Sequence, residues 1–178
     1  MSGLKREIAQ ERPFSSREEE ALLNLLRTAD CVDRAFQHAT REWGVTGTQY
    51  NVLRILRGAQ PDGLPCSAIG DRMITAEPDI TRLLARLKAL KLIRQQRDRR
   101  DRRVVLTQIS DSGLELLRKM DPVIQRMPRG LLSHLNADDQ REMIRLLELA
   151  RQKCSGADSL TCDGKKTSGG VTCDKGAE

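Results

Sequence analysis

The sequence is poor in aromatic residues and histidines and contains no long apolar run. Aromatics make up only 2% of the chain, which disfavours an aromatic-rich β-barrel and the stacking platforms that bind single-stranded nucleic acid. Nowhere do about 18 apolar residues follow one another, and the N-terminus lacks the apolar region of an export signal. The sequence therefore predicts a cytoplasmic protein without a membrane segment.

Metal-binding and catalytic patterns are also missing. The five cysteines include no Cys-x-x-Cys pair, and only two histidines are present, so neither a zinc site nor a disulfide framework is expected. No glycine-rich phosphate loop occurs, and no nucleophile lies at a motif spacing from a base. We expect no metal, no cofactor and no enzymatic activity.

Positive charge is concentrated in one segment. Residues 82–103 contain ten basic and two acidic residues, a net charge of +8, whereas the whole chain carries +6. Outside this segment acidic residues slightly outnumber basic ones. A single exposed arginine is most often a solvated side chain, but a cluster of this density is typical of a surface that binds a polyanion.

Apolar residues recur at helical spacing through most of the chain. A narrow seam in residues 21–43 predicts a helix that packs against other helices, within one chain or between two. Thr46 and Ser110 are good N-caps for later helices, and Pro122 and Pro128 are expected to kink or interrupt the helix after Ser110. The other helices are expected near residues 67–73, from Pro78 to Leu90 and from Asp139 to Gln152, with a loop over residues 58–65.

A change of pattern after Ile93 predicts a β-hairpin. Residues 97–103 contain no apolar residue, and the alternation of Val105, Thr107 and Ile109 is typical of a strand. Short helices followed by a hairpin with a basic tip form a winged helix-turn-helix, in which one helix enters the DNA major groove and the wing reaches phosphates or the minor groove. The predicted fold class is thus mainly α with a small β-hairpin wing and a helical dimerisation region.

Residues 46–56 form one motif, and residues 101–103 with 110–113 form a second; both resemble motifs of the MarR family of bacterial transcription regulators. Residues 46–56, TGTQYNVLRIL, are similar to the family's Leu-Thr-x-x-Gln-x-x-Val-Leu helix entry, with Val45 at the leucine position. Residues 101–103, Asp-Arg-Arg, followed by Ser-Asp-Ser-Gly at residues 110–113, resemble its Asp-x-Arg and Leu-Thr-x-x-Gly wing and exit motif. The chain departs from the pattern at Lys91, where the family usually has a glycine that ends the recognition helix.

The resemblance implies a homodimer that presents two winged helices to a pseudopalindromic operator on double-stranded DNA. It implies that Arg103 enters the minor groove and that Asp101 supports the wing. The DNA-binding candidates from the pattern and the resemblance together are Thr75, Glu77, Asp79, Thr81, Arg82, Arg86, Arg97, Arg99, Arg100, Arg102 and Arg103. The expected organisation is an N-terminal arm over residues 1–20, a dimerisation region over 21–43 and 110–153, a DNA-binding domain over 44–109 and a disordered tail over 154–178.

The leading hypothesis is a repressor that responds to a small phenolic or other lipophilic anion, as the resemblance implies. Candidate pocket residues are Phe36, Trp43, Tyr50 and Met73, although isolated aromatic residues at helical spacing are more often part of the core. An alternative within the family is a repressor that senses oxidation of Cys31, yet no neighbouring pattern in the sequence activates this thiol. A winged helix for protein contacts or an architectural role is the alternative from another class, and the basic segment argues against it.

Overall fold

The computed structural model describes residues 3–152, which form helices and one small sheet. In chain order the elements are α1 (Gly3–Glu7), α2 (Arg17–Arg41), α3 (Gly47–Gly58), β1 (Leu64–Pro65), α4 (Cys66–Gly70), α5 (Ile80–Ala89), β2 (Ile93–Arg97), β3 (Val105–Ile109), α6 (Asp111–Leu132) and α7 (Ala137–Arg151). The predicted fold class is confirmed. The tail predicted over residues 154–178 lies outside the described residues.

The chain divides into two compact units, the first ending at Leu131 and the second beginning at Leu132. This division does not test the predicted separation into dimerisation and DNA-binding regions, which stays a prediction. No helix in the part of the chain that the structure describes has the length and hydropathy needed to cross a bilayer.

Local side-chain caps define where the helices start. Thr46 and Gln49 form a reciprocal capping box at the start of α3, and the Ser110 hydroxyl accepts a hydrogen bond from the Gly113 N–H at 3.1 Å, so both predicted caps are confirmed. Asn136 caps α7, which starts at Ala137 instead of Asp139. The cap of α2 is Ser16, so this helix begins before residue 21.

The N-terminal residues form an element that the sequence analysis did not predict. Helix α1 is a single short helix whose Leu4 is 4% exposed. One buried leucine among polar residues produces no periodic pattern, which is why the sequence did not indicate it.

An apolar core in the first unit joins α3, α4, α5, the sheet and α6. Helix α5 contributes Leu83, Leu84 and Leu87, which are at most 7% exposed. Burial of each such side chain stabilises the fold by about 1.5–3 kcal/mol. The largest fully buried side chains of this core are Leu53, Leu56, Ile69, Leu87, Ile109, Leu117 and Met120.

The sheet has three strands in the order β1-β3-β2, so the prediction of a two-stranded hairpin was incomplete. β1 lies in the segment predicted as a loop, and it pairs antiparallel with β3, Leu64 opposite Thr107. Gly63 precedes it with φ +80°, and a Cβ there would lie 2.6 Å from the Thr107 carbonyl oxygen, so only glycine permits this approach. β1 therefore anchors the base of the wing from its other side.

Two predicted helix boundaries were wrong. The helix around residues 67–73 is α4, which ends at Gly70 and leaves Met73 in the following loop. Pro78 lies outside α5, because Asp79 is the N-cap of that helix. At its other end, Lys91 has φ +59°, and the Leu92 N–H donates to the Leu87 carbonyl, the geometry of a glycine C-cap formed by a lysine.

The two prolines do not interrupt α6, so the predicted interruption is wrong, while the predicted kink stays a prediction. The helix continues through Pro122 and Pro128, and both prolines are exposed. Each proline lacks the N–H that would bond to the carbonyl four residues before it, so the helical bonds to the Arg118 and Ile124 carbonyls are missing.

The apolar seam of α2 has two different halves. Phe36, Ala39 and Trp43 pack against the core, whereas Leu22, Leu25 and Val32 of the same seam are 57%, 40% and 40% exposed. Leu26, beside the seam, is 56% exposed. Helix α7 buries none of its residues, and its Ile144 and Leu146 are 54% and 50% exposed. Each of these helices therefore has apolar side chains that are half-exposed or more within its own unit.

Candidate nucleic-acid interface

Helix α5 separates apolar and basic side chains onto two faces. Leu83, Leu84 and Leu87 enter the core, while Thr81, Arg82, Arg86 and Lys88 are exposed. This division follows from the helical spacing of the leucines, and it leaves the predicted recognition residues open to solvent. Helix α5 packs beside β2, so its basic face and the wing belong to the same unit.

The two acidic DNA-binding candidates at the start of α5, Glu77 and Asp79, accept hydrogen bonds from backbone N–H groups. The Asp79 carboxylate accepts a hydrogen bond from the Arg82 N–H at 2.9 Å, and Glu77 Oε1 accepts one from the Asp79 N–H at 3.4 Å. An aspartate N-cap satisfies a backbone donor and complements the positive end of the helix dipole. Asp79 thus has a structural role that the sequence analysis did not assign. Thr75 is exposed in the loop before the helix.

The tip of the wing is organised by two aspartates. Asp98 Oδ1 accepts hydrogen bonds from the N–H groups of Arg100 and Asp101 at 2.6 and 3.0 Å. Asp101 Oδ1 accepts one from the Arg103 N–H at 2.9 Å. The Asp98 N–H donates to the Val104 carbonyl, which closes the loop between β2 and β3. Asp101 is therefore hydrogen-bonded within the wing loop, and its role as a support of the wing stays a prediction.

Sequence reasoning missed the role of Asp98. The backbone N–H groups of Asp101 and Arg100 favour its ionised form, and they hold the pKa of Asp98 below its ordinary value. This carboxylate is therefore charged at neutral pH, and the contacts that depend on the charge weaken only when the pH falls through the lowered pKa. An aspartate at the start of a turn is a known local pattern, and it would have identified this residue.

The predicted DNA-contacting arginines share two properties. All are exposed, and within residues 3–152 none of their side chains forms an ion pair shorter than 4.0 Å. They are Arg82, Arg86, Arg97, Arg99, Arg100, Arg102 and Arg103. Arginines elsewhere in the chain do pair with carboxylates, as Arg34 does with Asp30 at 2.7 Å. The basic segment thus offers guanidinium groups suited to phosphate and to base edges.

Three of the four pocket candidates lie at the junction of α2 and α3. The Phe36 and Tyr50 rings are 5.9 Å apart, and Trp43 is half-buried with its Nε1 atom buried and without a hydrogen-bond partner in the described chain. Met73 packs at the margin of the core. The Arg54 guanidinium lies 5.9 Å from the centre of the Tyr50 ring, which adds a cation to this aromatic cluster.

Tyr50 also belongs to a polar contact between α3 and α6. Its hydroxyl donates to Asp121 Oδ1 at 3.2 Å, and Arg57 pairs with Asp121 Oδ2 at 2.5 Å. Burial raises the pKa of Tyr50, and the Asp121 carboxylate raises it further, so the phenol is neutral at neutral pH. The sequence offered no signal for this contact, because its partners are 64 and 71 residues apart.

Cys31 is exposed on α2 as a free thiol, and the redox alternative that depends on it stays a prediction. No cluster of three potential metal ligands forms within residues 3–152.

Comparison with known proteins identifies the family. The MarR family profile matches residues 43–104, from the end of the first long helix to the wing. A crystal structure of a MarR transcription factor from Planctomyces limnophilus is 38% identical, with a TM-score of 0.59, and the match covers 77% of this chain and 99% of that one.

Two further relatives agree with this match. The HTH-type transcriptional regulator YkoM of Bacillus subtilis (strain 168) is 28% identical over 77% of this chain and 90% of its own length. The PcaV transcriptional regulator of Streptomyces coelicolor, solved in complex with its natural ligand, is 25% identical, with a TM-score of 0.63 and coverage of 82% of this chain and 99% of that one. The chain belongs to the MarR family and is a DNA-binding transcription regulator with a winged helix-turn-helix.

Proposed function

We propose that the protein is a homodimeric repressor in the cytoplasm, which binds a pseudopalindromic operator and releases it when a small aromatic anion binds. The observation that carries the proposal is the set of exposed arginines on α5 and the wing that form no ion pair within residues 3–152. A protein-binding surface favours apolar anchors over such a density of positive charge, so the alternative of a protein-interaction module is disfavoured. The role is binding, with no catalytic step.

The exposed surfaces support the assignment of different regions to DNA binding and to dimerisation. Residues 44–109 bind DNA, and residues 21–43 with 110–153 pair with the second subunit. Leu22 and Leu26 on α2 support this proposal, because two side chains more than half exposed are costly to leave in water. A two-fold dimer presents two copies of α5, which is why its operator is expected to be pseudopalindromic.

Different residues are proposed to contact different parts of the DNA. Thr81, Arg82 and Arg86 face the major groove with Thr75, while Glu77 and Asp79 act chiefly by ordering the start of α5. Arg103 enters the minor groove, and Asp101 supports the wing. The remaining wing arginines contact phosphates; they are Arg97, Arg99, Arg100 and Arg102.

The effector is proposed to be a small phenolic or other lipophilic anion bound at the cluster of Phe36, Trp43, Tyr50 and Met73. The neighbouring Arg54 supports an anionic ligand, and the unpartnered Trp43 Nε1 supports one with a hydrogen-bond acceptor. The related PcaV regulator was solved with its natural ligand, which supports ligand control in this chain as well.

Charged substitutions on the exposed apolar face of α2 are predicted to separate the dimer. The double variant Leu22→Asp with Leu26→Asp places two carboxylates where the partner should pack, and burying an unpaired charge costs several kcal/mol. Sedimentation at micromolar concentration should show a dimer for the wild type and a monomer for the variant, with much weaker DNA binding. Asn24→Asp is the control, because it adds the charge on the other side of α2. A wild-type monomer would contradict the proposal.

Hydroxybenzoates are predicted to bind near Trp43 and to release DNA. Trp43 is the single tryptophan, so its fluorescence reports binding directly. The Trp43 emission and the fraction of DNA released should change over the same range of ligand concentration. The release of DNA is measured by the fluorescence anisotropy of a labelled duplex. Trp43→Phe removes the donor and should raise the concentration for half-release about three- to tenfold, the effect of one hydrogen bond. DNA release without an emission change in the wild type would place the ligand elsewhere.

Removing the hydrogen-bond acceptor of Asp98 at the wing tip is predicted to weaken DNA binding more than removing only the negative charge of this side chain. Asp98→Asn and Asp98→Ala both lose the negative charge, but only alanine loses the oxygen that orders the Arg100 and Asp101 N–H groups. Asp98→Ala should bind a DNA duplex about three- to tenfold more weakly than Asp98→Asn. Hydrogen exchange of the Arg100 amide should be faster in the alanine variant. Equal affinities would show that the tip does not need this order to bind.

The wing arginines are predicted to differ in sequence dependence. Arg103→Ala should cost about 1–3 kcal/mol and abolish a preference for A·T-rich flanks, where a narrow minor groove concentrates negative potential. Arg100→Ala should weaken binding to all flanks equally and reduce the salt dependence. The two roles are distinguished by titrating both variants against operators with A·T-rich or G·C-rich flanks at two salt concentrations. If Arg103→Ala retains the flank preference, its minor-groove assignment is wrong.

A further inference from the structure

One apolar side chain stands out in the loop before the recognition helix. Ile74 is 84% exposed, more than the other large hydrophobic residues on the surface of the described chain. The exposed leucines of α2 have an expected partner in the second subunit, but Ile74 is far from α2 in sequence and lies five residues before the N-cap of α5. Its exposure therefore calls for a different explanation.

The loop that carries Ile74 is held in place. The Ile74 N–H donates a hydrogen bond to the Asn51 side-chain oxygen at 3.1 Å, and Asn51 lies on α3, which is fixed in the core by Val52, Leu53 and Leu56. The following residues Thr75 and Ala76 are also exposed. An anchored backbone that presents a branched apolar side chain to solvent is a pre-organised contact surface, since little further ordering is needed on binding.

The surroundings of Ile74 indicate what it contacts. In a helix-turn-helix the N-terminal end of the recognition helix approaches the base edges in the major groove. The two acidic side chains at this end, Glu77 and Asp79, already bond to backbone N–H groups. Residues 74–76 carry no charge, in contrast to the basic face of α5. The apolar group that a base pair displays in the major groove is the C5-methyl group of thymine.

We propose that Ile74 is a specificity-determining residue that packs against a thymine methyl group in the operator. This inference rests on the proposed function, because it requires α5 to dock in the major groove of a specific site. It adds a base contact outside the set of residues that the sequence patterns indicated. Ile74 contributes selectivity for thymine, whereas the arginines supply most of the attraction to DNA.

The test is a double-substitution cycle between the protein and the DNA. An operator is first selected from a random duplex library with the full-length protein, and each thymine is then replaced by deoxyuridine, which lacks only the methyl group. At one position in each half-site the replacement should weaken wild-type binding about fourfold, the effect of one buried methyl group. With Ile74→Ala the same replacement should have no effect, while Ile74→Val should retain most of it.

The control variant is Leu90→Ala, which shortens an exposed leucine at the opposite end of α5 and should leave the deoxyuridine effect unchanged. Thermal unfolding of Ile74→Ala should match the wild type, because the side chain is exposed. If Ile74→Ala weakens binding to thymine and deoxyuridine operators equally, or not at all, Ile74 does not contact a methyl group. That result would leave the proposed function intact, whereas failure to select any operator would overturn both.

Discussion

The burial of the leucine row on α5 is the constraint on which the DNA-binding surface depends. With Leu83, Leu84 and Leu87 in the core, the helix cannot rotate without moving arginines into an apolar interior, where an unpaired charge costs many kcal/mol. The same core receives Ile93 and Ile109, one from each strand of the wing. A single set of apolar contacts therefore orients the recognition helix and the base of the hairpin together.

Beyond that base, the wing relies on polar contacts. Its tip contains arginines that repel one another and no buried apolar residue, so hydrophobic packing cannot order it. Asp98 and Asp101 supply acceptors for three backbone N–H groups within the loop. These carboxylate oxygens bond to backbone N–H groups, and the wing arginines form no ion pair within residues 3–152, so their guanidinium groups are open to an external anion. Two acidic residues in a strongly basic segment thus support its binding role instead of opposing it.

The exposed surfaces of the first unit and of α7 are either basic or apolar. The basic surface on α5 and the wing matches the DNA-binding role of the MarR family, to which this chain belongs. The apolar side chains of α2 and α7 match a second subunit, which is the proposed arrangement. Within the first unit, Tyr50 and Arg57 of α3 contact Asp121 of α6, so a helix of the proposed DNA-binding domain is joined to a helix of the proposed dimerisation region.

The sequence by itself determined the features that arise from neighbours along the chain. The presence of the main helices, the caps at Thr46 and Ser110 and the pairing of β2 with β3 were predicted correctly, because each depends on residues close together in the chain, although several helix boundaries were not. Tertiary structure decided the rest. The pairing of β1 with β3, the left-handed conformation of Lys91 and the contact of Tyr50 with Asp121 depend on partners distant in the sequence or on packing at a helix end. Solvent exposure also depends on tertiary structure. Leu22 and Phe36 belong to the same seam of α2, but Phe36 packs against the core and Leu22 does not, so the sequence pattern alone could not distinguish the two.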